Sequence, residues 1–449
     1  MSQVRVAAAR ALLAVERAEG TLAAELERVR GGLDDPRDRA LLVELASGTL
    51  RWRAAIDAIV TAVSRRNLDQ IDARARAVVR LGIYQLRYLE RVPAHAIVNE
   101  SVEAVRTLGR VKAAGFVNAV LRGTQRMGSD APLPPRPGPH AGRIAQSAYL
   151  TTTLSHPAWL VERWLGRYGY AATERWCTFN NASPSLTVRT SGDVGEMLAA
   201  LAQAGVAAER APFVADAIRL PPGTLGKLPA ELRDALRVQD EGSQIVARAV
   251  GARPRDRVID LCAAPGGKTL VLAVDMDQTP LLVAADHRRA RVALLRATLD
   301  RAGVRAPVVS LDVRRPLPFG PVFDRVLLDA PCSGLGTLRR DPDLKWSRSL
   351  DDLERFAGAQ TGMLENAAAI VRPGGELIYA TCSSEPEEND DRIREFLDRH
   401  AEFAAAPRSV LGARVDPSLI NAAGHLQTRP DQHGLDAFFA AVLVRRQTA

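Results

Sequence analysis

The chain has 449 residues, too many for one ordinary hydrophobic core, so two or three domains are expected. Its 47% hydrophobic and 25% charged composition suits a soluble globular protein; no apolar run reaches the roughly 18 residues of a membrane span, and four cysteines exclude a disulfide-built scaffold. The formal charge is +8, and residues 1–127 hold 21 Lys and Arg against 14 Asp and Glu, which suits a polyanionic partner there, although a solvated arginine-rich surface gives the same count.

The opening MSQVRVAAARALLAVERAEG is a charged amphipathic helix pattern without the apolar core and cleavage site of a signal peptide, so a cytoplasmic location is expected. To residue 127, apolar positions recur at three- and four-residue spacing, as in RALLVELASGTLRWRAAIDAIVTAV, ARAVVRLGIYQLRYL and VKAAGFVNAVLRGTQR, with Pro93 and Gly109 as punctuation. This reads as an all-helical domain over 1–127. GSDAPLPPRPGPHAG, residues 128–142, has five prolines and three glycines and reads as a linker. Residues 143–235 mix helix patterns (HPAWLVERWLGRYG, GDVGEMLAALAQAG) with strand patterns (SLTVRT, AAERAPFVADAIRL), giving a small α/β module. From 236 to 449, RVIDL, PLLVAAD, PVVSLD, RVLLDA and ELIYAT are short apolar runs suited to buried parallel strands. Helical stretches separate them, and AAVLVRR closes the chain as a further strand. A doubly wound α/β domain follows, with ligands at the carboxyl ends of its strands.

VIDLCAAPGGKTL, residues 258–270, is a strand, a turn of small residues and the start of a helix. Glycines let backbone approach a ligand, and a helix N-terminus offers N–H groups. The spacing is neither G-x-G-x-x-G nor G-x-x-x-x-G-K-[ST], which weakens the nucleotide-phosphate readings. Asp286, Asp312 and Asp329 each end an apolar run. One such aspartate is commonly a helix cap. Three on successive strands point to one cleft, with Asp286 suited to ribose hydroxyls and Asp312 to an adenine amino group. Three carboxylates repel phosphate and suit a cationic nucleoside, a description S-adenosylmethionine satisfies.

Cys262, Cys332 and Cys382 all fall just past strand ends. A free cysteine is more often a small buried hydrophobe, the reading kept for Cys177 in ERWCTFNN. Carbon 5 of cytosine is a poor nucleophile, and a thiolate adding to carbon 6 activates it. An acid at ring N3, here Asp329, assists; a base then removes the carbon-5 proton so that the thiol can leave. Two cysteines can divide attack and release, and the residues alone leave open which does which. In LIYATCSSEPEEND the acids after Cys382 are expected to start the next helix, near its positive end, and to face away from the sulfur.

DLCAAPGGKT, DAPCSG, RRDPDLKW and ATCS together resemble the motifs of the RNA 5-methylcytosine methyltransferases, the Fmu/Sun family, and among them the bacterial small-subunit rRNA branch. The likeness runs almost end to end. NESVEAVRTLGRVKAAGFVNAVLR resembles that branch's NusB-like RNA-binding domain, and VQDEGSQIVARAV the segment entering its catalytic domain. RPDQHGLDAFF, residues 429–439, resembles its C-terminal signature, with Ala437 where glycine is usual.

The resemblance implies a multidomain α and α/β protein: a NusB-like helical domain, a small α/β module and a Rossmann-like (class I) S-adenosylmethionine-dependent methyltransferase domain. It implies methylation of carbon 5 of a cytosine in 16S rRNA, with Cys382 attacking the base and Cys332 helping to release the product. Implied donor contacts are Cys262, Ala263, Ala264, Pro265, Gly266, Gly267, Lys268, Asp286, Asp312 and Asp329, with Lys268 also facing the reaction. No metal is implied. No obligate protein partner is evident, and a monomer is expected. Two alternatives stand beside this: a tRNA methyltransferase of the same family, and an RNA-binding transcription or ribosome-assembly factor with an idle methyltransferase domain. The target cytosine must be flipped or unpaired, because carbon 6 is shielded in a stacked helix. Arg339, Arg340 and Lys345 are candidates to hold phosphates and Trp346 to stack a base, with core packing the competing reading for Trp346. The basic N-terminal helices are the other candidate RNA surface, and deleting 1–127 should then weaken rRNA binding.

Overall fold

The computed structural model describes residues 2–90, 92–128, 130–190, 192–277 and 281–447. The chain divides into two compact units, Met1–Ala182 with Leu338–Arg348, and Ser183–Thr337 with Ser349–Ala449. Among the described residues no helix is long and apolar enough to cross a membrane.

In the first unit, helices Ser2–Glu16, Leu22–Arg30, Pro36–Arg51, Arg53–Ser64, Ala73–Tyr88, Ala94–Thr107 and Ala114–Met127 follow the apolar periodicity. Short polar side chains set their starts: Thr21, Asp35 and Asp72 each accept from backbone N–H groups of the first turn. Leu45, Ile56, Ile59, Val79, Ile83, Val98 and Val117 form a fully buried core. The proline-rich stretch after residue 130 has no regular structure up to Gly142 and is tied down where Arg136 makes a two-pronged pair with Glu174. Helix Ala158–Asn181 contributes the buried, stacked rings of Trp164 and Trp176.

Leu338–Arg348, which carries all of RRDPDLKW, is built into this helical unit. Lys345 is 1% exposed, and its ammonium donates to Arg51 O (3.2 Å), Ser155 O (3.3 Å) and Asn181 Oδ1 (2.7 Å). Arg51 donates to Arg339 O, Leu22 N donates to Asp343, and Trp346 Nε1 donates to Leu50 O. The Arg339 guanidinium lies 4.0 Å from the centroid of Phe179. These contacts correct the expectation that Lys345 and Arg339 hold RNA phosphates: both are buried, and Trp346 packs against the helical core.

The second unit holds two sheets. SLTVRT becomes β1 (Leu186–Thr190), and AAERAPFVADAIRL splits into β2 (Glu209–Arg210) and β3 (Ala217–Leu220). With β4 (Leu236–Val238) they form an antiparallel sheet in the order β2-β3-β1-β4, its core made by Val188, Leu201 and Ile218. The larger sheet takes the apolar runs in turn: β5 (Val258–Leu261), β6 (Leu282–Asp286), β7 (Val308–Ser310), β8 (Phe323–Asp329) and β9 (Val371–Thr381). β10 (Phe403–Ala405), β11 (Leu426–Gln427) and β12 (Phe439–Arg445) complete it. The order is β10-β12-β9-β8-β5-β6-β7, with β11 on β12. The pairs among β5 to β9 are parallel, as continuous apolar runs require, whereas β12 runs antiparallel to β9 and β10. Strand order reverses at β5, so the carboxyl ends of β5 and its neighbours open a crevice.

Candidate active site

Register decides which side chains meet. β5 and β8 are parallel with Leu261 opposite Leu328, and β8 and β9 are parallel with Asp329 opposite Ala380. The segments leaving these strands therefore emerge side by side. Cys332 Sγ lies 3.3 Å from Cys382 Sγ, and Lys268 Nζ donates to Asp329 Oδ2 at 2.8 Å. The turn after β5 starts at Cys262 (φ 66°), passes a cis Ala264–Pro265 peptide and Gly266 (φ 110°), and enters helix Gly267–Asp275. Ala263 N donates to Ala285 O, and Ala264 N to Asp286 Oδ2, so the turn is locked to the end of β6.

Asp286 is buried and also receives Arg291 Nε at 3.1 Å. Asp312 lies two residues past β7, where Arg314 engages both its oxygens and holds its carboxyl down at about 2. Asp260, on β5, is fully buried; Oδ2 accepts from Thr269, Oδ1 has no partner among the described residues, and burial pushes its carboxyl up to about 7. Asp329 and Asp286 each lie close enough to Asp260 to repel its charge, and the Lys268 ammonium partly offsets them. This donor set fits a cationic, hydroxyl-bearing nucleoside: carboxylates attract a sulfonium and accept from hydroxyls, and the lone Asp260 oxygen is a spare acceptor.

The two close cysteines have unlike surroundings. Cys382 interacts with the Lys268 ammonium. Burial opposes that charge, but Asp329, Asp260 and Cys382 more than offset it and raise the Lys268 pKa. Cys332 interacts instead with the Glu388 carboxylate. Its thiol is pushed well up, first by the sulfur contact with Cys382, then by burial and by Glu388. Cys262 is pushed up by burial and by Asp329, Asp286 and Asp260, and Cys177 is a fully buried thiol pushed up by burial to about 12 in the helical unit.

Glu388 was not among the residues the motifs point to. The expectation that the acids after Cys382 start a helix holds for Asp390, in the first turn of Asp390–Arg399, while Glu387 and Glu388 lie in the 3-10 turn before it. Glu388 ends the preceding 3-10 turn and is buried against both cysteine loops. The one local signal is that a serine follows each cysteine. Gly336 was also unmarked. A Cβ there would stand 2.0 Å from Ala437 O and 2.7 Å from Cys382 O. Gly336 N donates to Cys382 O and Ala437 N donates to Gly336 O, both at 2.9 Å, so Ala437 closes its turn beside the site.

Residues 247–444 match the family model "16S rRNA methyltransferase RsmB/F", residues 2–126 the NusB family, and residues 156–224 the RsmF/B-like ferredoxin-like domain. The "Probable ribosomal RNA small subunit methyltransferase B" of Bacillus subtilis (strain 168) is 33% identical over 412 residues, covering 90% of each chain. The "Ribosomal RNA small subunit methyltransferase B" of Xanthomonas campestris pv. campestris is 36% identical over 449 residues, covering 98% of this chain and 97% of its own. The chain belongs to the ribosomal RNA small subunit methyltransferase B family. Its NusB-like and methyltransferase domains are those of the family, as the resemblance implied, and the expected small α/β module is the family's ferredoxin-like domain. The crystal structure of PH0851 shares the fold, at TM-score 0.78 and 23% identity over 99% of this chain and 98% of that one. A methyltransferase homologue from Pyrococcus horikoshii covers 68% of this chain and all of its own at TM-score 0.56 and 25% identity.

Proposed function

We propose that the protein methylates carbon 5 of a cytosine in 16S rRNA, with S-adenosylmethionine as donor and a Cys382–carbon 6 bond as intermediate. The observation that carries this reading is the pair of sulfurs at 3.3 Å beside the Lys268–Asp329 bridge. Two thiols with unlike neighbours suit a reaction in which one sulfur attacks and must later be released. The substrate class rests on the names of the relatives, and the donor on the fit of the carboxylates. When bound, S-adenosylmethionine supplies an electrophilic methyl on a sulfonium.

The chain's own residues do the rest. Cys382, which interacts with the Lys268 ammonium, attacks as its thiolate. Its electron pair forms the bond to carbon 6, the ring electrons move towards carbon 5 and N3, and the proton given up by the thiol reaches N3 by way of the Asp329 carboxylate, which is assigned to that ring nitrogen. Once carbon 5 carries the methyl, its proton leaves to a base, N3 returns its proton to Asp329, the carbon–sulfur bond breaks and the ring double bond is restored. Cys332 donates its S–H to the departing Cys382 sulfur.

A denaturing gel of protein with unmodified 16S rRNA and S-adenosylmethionine tests this. Cys332→Ala is expected to accumulate a protein–RNA adduct that vanishes when Cys382 is also changed to Ala. An adduct formed by Cys382→Ala would reverse the roles. Methyl transfer to tRNA and not to 16S rRNA would replace the substrate.

A further inference from the structure

Glu388 is fully buried. Its Oε1 accepts from Ser333 N (2.8 Å) and Gln360 Nε2 (3.2 Å); its Oε2 accepts from Ser333 Oγ and Ser383 Oγ, both at 2.5 Å. Ser333 directly follows Cys332, and Ser383 directly follows Cys382. Gln360 also donates to Pro331 O at 3.0 Å, so Cys332 is held on both flanks. The next residue, Asn389, flanks the other cysteine: it accepts from Thr381 Oγ1 at 2.5 Å and donates to Ser383 O at 2.9 Å.

A buried carboxylate is costly unless its lone pairs are met, and these four donors meet them. An apolar contact could join two loops at less electrostatic cost. What the carboxylate adds is a geometric constraint on both loops at once, with a negative charge beside Cys332 to set against the positive charge of Lys268 beside Cys382.

We propose that Glu388 is a positioning residue: one carboxylate that seats both cysteine loops and so governs how fast Cys382 is released from the base. This rests on the covalent reading above. Displacing reacting groups by about 1 Å can cost roughly a hundredfold in rate, and loosening either loop moves one sulfur relative to the other.

Two measurements on the full-length protein test it, with wild type, Glu388→Ala and Glu388→Gln in parallel. The first needs no RNA. The thiol oxidant diamide removes two electrons and two protons from a thiol pair, and the Cys332–Cys382 bond it forms is followed by mass spectrometry. Glu388→Ala is expected to slow that bond about tenfold, with Glu388→Gln between it and wild type because the amide keeps the shape. The second measures adduct against methylated product with 16S rRNA. Glu388→Ala is expected to raise that ratio about tenfold while binding of S-adenosylhomocysteine stays within about twofold. Wild-type diamide kinetics together with a wild-type adduct ratio in Glu388→Ala would overturn the proposal. If Cys332→Ala forms no adduct, the covalent reading fails by itself, and the diamide rates still decide whether Glu388 sets the spacing. Should Glu388→Ala not fold, Glu388→Gln and Ser383→Ala, which removes one arm of the clamp, carry both readouts.

Discussion

Lys345 donates a 2.7 Å hydrogen bond to Asn181 Oδ1 inside the helical unit, and its other two acceptors are the neutral carbonyls of Arg51 and Ser155. Lys345→Met leaves all three without this donor and is expected to cost about 3 kcal/mol, read by urea denaturation through tryptophan fluorescence. The pH dependence has a definite sign. Burial holds the folded Lys345 pKa well below 10.5, so the unfolded chain binds more protons. Wild-type stability then gains a rising component as pH climbs towards 10.5, and the Met variant should lack it.

Gly336→Ala should be severe. The new methyl would overlap the carbonyl oxygens of Ala437 and Cys382, which are backbone and cannot swing aside. A loss of about 3 kcal/mol or more in urea denaturation, with methyl transfer falling at least about tenfold, is expected. A variant with wild-type turnover would show that this loop need not lie against the end of β9.

Asp260 gives a second pH signature, in the catalytic unit. Its folded carboxyl sits at about 7 against 3.8 ordinarily, because burial disfavours the charge. The folded state keeps a proton that the unfolded chain releases, so stability falls as pH rises from about 3.8 to about 7 and stays lowered above that. A gap of that size is worth about 4 kcal/mol. Asp260→Asn can still accept from Thr269 and should be the more stable protein at pH 8, the advantage fading towards pH 4. Parallel urea denaturation series at pH 4, 6 and 8 check this, and an unchanged slope would assign the effect to another group.

The helical unit's charge is best tested at points. Arg66, Arg110 and Lys112 border a cavity of about 630 Å³, where the Arg66 guanidinium lies 5.3 Å from the centroid of Phe116. If RNA phosphates lie there, Arg66→Ala and Lys112→Ala should each weaken rRNA binding and lower the slope of log affinity against log salt by about 0.9 or less. An unchanged slope would place the RNA elsewhere. Deleting residues 1–127 is a poorer test, because it strips Lys345, Arg339 and Trp346 of the helices that bury them.

The catalytic crevice was legible because its signals are local. An apolar run followed by Asp or Cys marks a strand end, and parallel register then carries neighbouring ends to one place. β10 and β11 are three and two residues long, too short for a two-residue period to show. Lys345 and Arg339 in RRDPDLKW are misleading for a different reason. Their charges look solvated in sequence, yet the groups that bury Lys345 lie 164 to 294 positions away. Glu388 was hidden likewise: its partners come from three separate stretches, and in EPEEND it is one acid among several.

The return of Leu338–Arg348 to the helical unit has a consequence for biogenesis. A ribosome finishes Ala182 and then translates 155 further residues, 183 to 337, before the strip that completes this unit begins. At about 5–20 residues per second that interval is roughly 8 to 30 s. During it the carbonyls of Arg51 and Ser155 and the side chain of Asn181 wait without their lysine. The nascent N-terminal half must therefore stay open long enough to admit a late-made segment, so vectorial synthesis places the last step of building the helical unit after the Cys332 loop has left the ribosome.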